Sequence, residues 1–425
     1  MPKYQFDKWT DLYANRTGRL KSSAIRDLLS VTQRSDIISL AGGTPYTRDF
    51  KLEKIVSATT ACMLNQGNDA LQYGGSEGHV GLKKHIVKMM SADGINVDTE
   101  DFIVTGGSQQ ALDLIGKIFI DPGDVILVEA PSYLGALDAF TCYEPKVVSI
   151  PLDEDGVRVD ELEARLRELA AAGIKPKFMY LVPNFHNPAG VTLSAERRRR
   201  LIELSREFGL LLVEDNPYGR LRFEGEDIPS LRALDEHVIY LSTFSKIFSP
   251  GIRLGWIMAP HPILEKIIFA KQSADLCSSS FTQRVVEEFL NENELDPYLN
   301  QLVKTYRSRR DAMLAALDEF FPPEATWSRP RGGFFVWARL PEFIDTTEML
   351  AEAIGQKVAY VPGRAFFADG SGANFMRLAF CYPSEEDIHE GIKRLAGVVK
   401  DQISLYHSVA GLLRAPAQTE EKAGN

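Results

Sequence analysis

Lys246 closes the run Ser242-Thr243-Phe244-Ser245-Lys246, and Arg253 follows it in Ser249-Pro250-Gly251-Ile252-Arg253. An amine among hydroxyls, with a Pro-Gly turn and a guanidinium behind it, suits a Schiff base to an aldehyde whose phosphate the neighbouring groups hold. A Ser/Thr-Lys stretch after an apolar strand also suits a solvated loop, so the run needs company. It has some in Thr105-Gly106-Gly107-Ser108-Gln109-Gln110, where glycines feed a helix start and backbone amides with hydroxyls favour an anion. Together with Thr243, Ser245 and Arg253, this turn supplies enough donors for one phosphate dianion. An aldehyde-bearing phosphate bound to a lysine is pyridoxal phosphate.

Other groups match the remaining edges of such a cofactor. Asp215, in Glu214-Asp215-Asn216-Pro217-Tyr218, puts a carboxylate at the mouth of an apolar strand, where it can pair with a pyridine nitrogen and keep it protonated. Asn187, fixed before Pro188, can donate to a phenolate oxygen, with Tyr218 beside it. Tyr133, in Glu129-Ala130-Pro131-Ser132-Tyr133, can stack on a ring. Arg377 lies between Met376 and Leu378, and its bidentate fork suits a substrate α-carboxylate. Gly42 and Gly43 let backbone come close to a ligand. Each also has an ordinary reading: a helix cap for Asp215, an Asn-Pro turn for Asn187, core packing for Tyr133, a solvent-facing strand position for Arg377, a plain turn for the glycines.

The elements that must position these groups alternate. Between residues 51 and 295, helical periodicity separates the short apolar segments Phe102-Thr105, Val125-Val128, Phe178-Val182, Leu210-Val213 and Val238-Leu241. Continuous apolar strands between helices imply a mainly parallel sheet covered on both faces, with ligands at the strand ends. This is the expected large domain of an α/β protein. From 296 to 406 the strands Gly333-Ala338 and Met376-Phe380, with helices around them, predict a smaller α/β domain. Residues 1–50 read as an arm and helix joining it, with an amphipathic stretch at Ser23-Leu29, and 407–425 as a flexible tail.

Composition narrows the function. The chain has 425 residues, 44% of them hydrophobic, ample for a large core, and its net charge of -10 disfavours nucleic acid. The run Arg197-Arg200 follows Ser194 as helix cap and is expected on a polar helix face. Four separated cysteines suggest neither disulfides nor a metal site, which points to the cytoplasm. The expectation is of no membrane span and no signal segment.

Taken in order, these motifs resemble the fold-type I, pyridoxal phosphate-dependent aminotransferases of class I/II, over nearly the whole chain from Gly18-Arg19 to about Val399. Within that family the chain is most similar to the 2-aminoadipate/aromatic branch. Gly18-Arg19-Leu20, Ile25-Leu29, Leu71-Gln72-Tyr73-Gly74, Lys271-Gln272-Ser273-Ala274-Asp275-Leu276 and Tyr360-Val361-Pro362-Gly363 carry that likeness. The resemblance implies that Lys246, Asp215 and Tyr133 serve catalysis, with Lys246 as Schiff-base lysine and proton shuttle. It places Asn187 and Tyr218 on the ring oxygen, and Ser108, Gln109, Thr243, Ser245 and Arg253 around the phosphate. It also implies Arg377 on the α-carboxylate, Tyr73 on the phosphate of a neighbouring subunit, and a homodimer. Donors of the branch are acidic, aromatic or branched amino acids, and 2-oxoglutarate is a frequent acceptor. Arg26 on the N-terminal helix can meet a substrate carboxylate, and Gly42 and Gly43 leave room for a long substrate. Gly43-Thr44-Pro45-Tyr46, Arg364 and His186 depart from the family's usual pattern and can reshape the pocket.

The same cofactor also supports elimination or decarboxylation. A ligand-sensing module like the aminotransferase-like domain of bacterial regulators is a further reading, disfavoured by the acidic charge and by the short stretch before Ile37.

Overall fold

The computed structural model describes residues 8–19, 34–48, 50–293 and 295–414. Arg26 and the Ser23-Leu29 stretch lie outside the described residues. A short strand, β1 (Ile38–Ser39), precedes the main sheet, whose members are β2 (Phe102–Thr105), β3 (Val125–Ala130), β4 (Lys146–Asp153), β5 (Gly156–Val157), β6 (Phe178–Leu181), β7 (Leu211–Asp215), β8 (Ile239–Thr243) and β9 (Gly255–Met258). They lie in the order β2-β9-β8-β7-β6-β3-β4-β5. Neighbours from β8 to β3 are parallel, as the apolar runs predict, and so is the added β4, while β9 runs antiparallel to both β2 and β8 and β5 antiparallel to β4.

Alternate side chains of each strand feed opposite layers. In β6, Phe178 and Tyr180 join Ile103, Leu112, Phe140 and Val213 on one face. Met179 and Leu181 join Leu127, Leu162, Leu201 and Leu212 on the other. Each such fully buried side chain contributes roughly 1.5–3 kcal/mol, which is why both layers of helices stay docked. Strand β4 escapes the sequence pattern because it is only partly buried, with exposed Lys146, Pro151 and Asp153.

A second sheet takes the order β10-β11-β14-β13 from β10 (Thr326–Trp327), β11 (Phe335–Arg339), β13 (Val361–Pro362) and β14 (Phe375–Ala379), all pairs antiparallel. Between them, β12 (Val358–Ala359) pairs parallel with β1, tying the start of the described chain to this part of the molecule. Trp337 is the partner of Arg377 across β11 and β14, so the arginine projects on the face that also carries Phe335.

Two sequence expectations change. The last helix, Glu385–Arg414, runs well into the stretch expected as tail, where the His407 ring packs edge-on to Phe343 with centroids 6.2 Å apart. The arginine run does start at a Ser194 cap, whose hydroxyl accepts the Arg197 N–H, but Arg198 is fully buried rather than on a polar face. Among the described residues no helix is long and apolar enough to cross a membrane.

Candidate active site

The C-terminal ends of the parallel strands open into one cleft of about 410 Å³. The turn after β2 brings Ser108 and Gln109, the turn after β3 brings Tyr133, the loop after β6 brings Asn187, β7 ends in Asp215, and β8 leads into Thr243, Ser245 and Lys246. Gly42, Gly43, Tyr218, Arg253, Phe335 and Arg377 complete the wall. Tyr73 is elsewhere: it is 78% exposed and lines a separate cleft.

Lys246 Nζ donates to the Gly43 carbonyl at 3.3 Å. Burial among side chains lowers its amine to about 8, with the Arg377 and Arg253 charges pushing the same way against Cys381 and Asp215. A substantial fraction is therefore neutral near pH 8. Asp215 moves oppositely: burial pushes its carboxyl up to about 7, partly offset by the Tyr180 hydroxyl, which donates to Oδ2 at 2.8 Å, and by Lys246. Its Oδ1 is buried with no hydrogen-bond partner. A buried acceptor left open is costly unless a ligand supplies the donor.

Arg377 is 1% exposed and lies on the Phe335 ring, 4.2 Å from its centroid. Nη1 donates to Asn187 Oδ1 at 2.9 Å and Nη2 to the Ala41 carbonyl at 2.8 Å, while Nε has no partner. Burial lowers its pKa to about 10, so it stays cationic at neutral pH. Tyr218 is buried, its ring edge-on to Phe334 at 5.3 Å.

The turn expected to hold an anion is built for close approach. Arg253 sits in the left-handed region at φ 52, a strained backbone for a non-glycine residue, and its Nη1 donates to Ser245 Oγ at 3.3 Å and its Nη2 to the Gly106 carbonyl at 3.1 Å. A Cβ on Gly107, whose φ is +83, would fall 2.5 Å from Arg253 Nη2. The helix Ser108–Phe119 begins with no side-chain cap, leaving its first amides toward the cleft's polar end. Thr243 Oγ1 bonds Ser245 Oγ and the Leu254 carbonyl, both at 3.0 Å. Gln109 turns its amide away, donating to the Gly135 carbonyl at 2.7 Å with its oxygen 3.5 Å from the Tyr133 hydroxyl, so its side chain braces the tyrosine.

Several contributors escape the sequence reading. Tyr180 reads as a core strand residue, yet its hydroxyl meets Asp215. Arg198 pins the loop that carries Asn187, donating to the Leu193 and Pro183 carbonyls and to Asn184 Oδ1. Phe335 fills the space beside Gly43, where a Cβ would stand 2.7 Å from its ring, so that glycine accommodates an aromatic side chain and not open room for substrate. His186 is buried in the same loop, its Nδ1 accepting the Ala189 N–H and its Nε2 3.1 Å from Glu129. Arg364 is held by Asp345 and the Gly370 carbonyl and does not line the cleft.

The family described as aminotransferase class I and II matches residues 35–395. This chain belongs to the class I and II aminotransferases. The aminotransferase is 47% identical over 405 residues to aromatic-amino-acid aminotransferase 1 of Thermococcus litoralis, covering 95% of this chain and 96% of the relative. It is similar to the crystal structure of Pyrococcus horikoshii kynurenine aminotransferase in complex with PMP (TM-score 0.90, 44% identity, 93% and 99% of the two chains). It is also similar to the α-aminoadipate aminotransferase of Thermus thermophilus, complexed with N-(5'-phosphopyridoxyl)-L-leucine (TM-score 0.87, 38% identity, 93% and 99%). Of the readings open at the sequence level, this decides for amino-group transfer. The family implies pyridoxal phosphate, and the aminotransferase's own cleft fits it: an orphaned buried carboxylate oxygen for a ring N–H, an amine for an aldehyde, and an uncapped helix start with Arg253 for a phosphate.

Proposed function

We propose that this aminotransferase takes the amino group from an acidic, aromatic or branched L-amino acid and gives it to a 2-oxo acid such as 2-oxoglutarate, with pyridoxal phosphate bound in the Lys246 cleft. The observation that carries the reading is the convergence of Lys246, the open Oδ1 of Asp215 and the open Nε of Arg377 on one cavity.

When bound, pyridoxal phosphate supplies an aldehyde for amino groups and a ring that takes up negative charge from a substrate's α-carbon. Asp215 Oδ1 holds the proton on the ring nitrogen, and Tyr180 fixes the other oxygen so that Oδ1 keeps its aim. Asn187, with Oδ1 committed to Arg377, has its Nδ2–H groups free to donate and would give one to the ring oxygen, which the Tyr218 hydroxyl would also serve. Tyr133 would pack on the ring, and Ser108, Gln109 through its backbone, Thr243, Ser245 and Arg253 would hold the phosphate. Arg377 binds the α-carboxylate side-on with Nε–H and a remaining Nη–H. Lys246 Nζ, neutral in a substantial fraction near pH 8, would take the proton from the substrate's α-carbon and hold it on Nζ for return to the carbon that the aldehyde supplies.

Names of relatives support an aromatic or aminoadipate-like donor, and the Phe335 ring in the cleft wall suits an apolar side chain. The helix Leu52–Ala70 and the turn after it present Leu52, Val56, Leu64, Leu71 and Tyr73 to solvent, which supports a homodimer covering that face and handing Tyr73 to the partner's phosphate. Arg26 is assigned to a substrate side-chain carboxylate. The cysteine usage supports a cytoplasmic enzyme.

The purified yellow enzyme, mixed with one amino donor at a time and no acceptor, should convert its cofactor absorption to that of the aminated form. Ranking the donors gives the substrate class. Release of ammonia with pyruvate would overturn the reading in favour of elimination, and no conversion by any donor in favour of elimination, decarboxylation or a sensing role.

A further inference from the structure

The Lys271-Gln272-Ser273-Ala274-Asp275-Leu276 segment touches nothing in the cleft, yet it reaches the turn that supports the phosphate end. Lys271 has no exposed surface and gives its Nζ to both oxygens of Asp275, at 2.7 and 2.9 Å. Replacing both members of a buried ion pair by apolar side chains is often neutral for stability, so packing alone does not explain a buried ammonium here. Asp275 Oδ2 also accepts from Gln110 Nε2 at 2.7 Å. A carboxylate facing an ammonium offers only acceptors, which forces the amide of Gln110 into one orientation, nitrogen toward Asp275 and oxygen away. That oxygen accepts the Gly106 N–H at 2.7 Å. The Gly106 carbonyl in turn accepts Arg253 Nη2 at 3.1 Å.

Gly106 is therefore gripped at its N–H by Gln110 of the helix Ser108–Phe119, which Asp275 braces from the end of the helix His261–Ala274, and at its C=O by the phosphate arginine. It is followed by Gly107 at φ +83 and by the uncapped first turn of Ser108–Phe119. A backbone with two glycines in succession loses more conformational freedom on ordering than any other, so without an external hold the first amides would not stay converged.

We infer that Asp275, oriented by Lys271 and acting through Gln110, is a positioning residue that fixes the Gly106-Gly107 turn so that the helix-start amides and Arg253 converge on the cofactor's phosphate. This rests on the cofactor reading above. Asp275 and Gln110 bind no part of the cofactor themselves, and their influence is confined to the phosphate end.

The test compares pyridoxal phosphate with pyridoxal, which lacks the phosphate, by titrating each into the full chain stripped of cofactor. Gln110→Met removes the link and leaves the Lys271–Asp275 pair intact. It should weaken pyridoxal phosphate binding roughly tenfold, as expected for loss of one hydrogen bond on a preorganised anion site, while pyridoxal binding stays within about twofold. Asp275→Asn should show the same phosphate-selective loss. If it does not fold with Lys271 left unpaired, Gln110→Met decides alone. Unchanged affinity for both ligands, or an equal loss for both, would overturn the inference and leave the network a structural brace. Wild-type protein binding neither ligand would instead defeat the cofactor reading.

Discussion

Arg377 Nη1 and Asn187 Oδ1 meet at 2.9 Å across 190 residues of chain, joining the small antiparallel sheet to the loop behind β6. The contact sets the flip of the Asn187 carboxamide and removes one of the guanidinium's five donors from solvent competition. The groups read as substrate anchor and as ring-oxygen donor are thus one mechanical unit, and disturbing either reaches the other.

Arg377→Lys should lower kcat/KM on the order of 10²-fold, mostly through KM, because one ammonium cannot serve Asn187, Ala41 and a carboxylate together. Steady-state kinetics with the best donor gives the answer. A kcat/KM within a few-fold of wild type would remove Arg377 from substrate binding.

Lys246→Ala should cut turnover on the order of 10³-fold or more, while the cofactor still binds without becoming covalently trapped by borohydride. In the wild type, the single-turnover rate with a donor should climb as pH rises through about 8. The reason is sign: burial lowers the amine's pKa, and the base form is the one above it. Mass spectrometry and stopped-flow absorbance read these outcomes, and a rate falling over that range would contradict the role.

Asp215→Asn should make cofactor-free protein more heat-stable at pH 8 by a few degrees, since it removes a buried carboxylate charge whose Oδ1 has no hydrogen-bond partner. The folded-state pKa, about 7, lies above that of an unfolded aspartate. The folded state therefore binds more protons between those values, and wild-type stability declines as pH rises through that window. The gain should shrink at pH 5, where Asp215 is protonated when folded, and the same variant should bind cofactor worse. Calorimetry at the two pH values checks it. An equal gain at both would place the effect outside titration.

Gly43→Ala should destabilise the protein by about 1–3 kcal/mol, because the added Cβ meets Phe335, the ring beneath Arg377, at 2.7 Å. Denaturant unfolding together with KM for an aromatic donor tests this. Both values unchanged would show that Phe335 has room to move.

The chemistry-bearing groups were legible because the cofactor's demands are local: an amine beside hydroxyls, glycines before a helix, a carboxylate at the end of an apolar strand. Strand existence was equally legible where both faces are buried, since Phe178-Leu181 and Leu211-Val213 have no polar residue to lose. Strand β9 was not among the strands read, and its antiparallel sense is decided by where the chain re-enters the sheet after the Arg253 turn. Nor was the difference between Arg197, Arg198 and Arg200. Three arginines of one run look alike until folding offers Arg198 the carbonyls of two loops and gives Arg197 and Arg200 surface carboxylates. Tyr180 and Phe335 likewise read as core from composition. They belong to the site because strand pairing places Tyr180 beside Asp215 and the register of β11 with β14 puts Phe335 on the face of Arg377. Sequence alone determined which chemistry this chain holds. Only the tertiary structure decided which neighbours aim it, since partners far apart in the chain are selected by mutual packing and hydrogen-bond satisfaction, and the choice of partner leaves no local pattern.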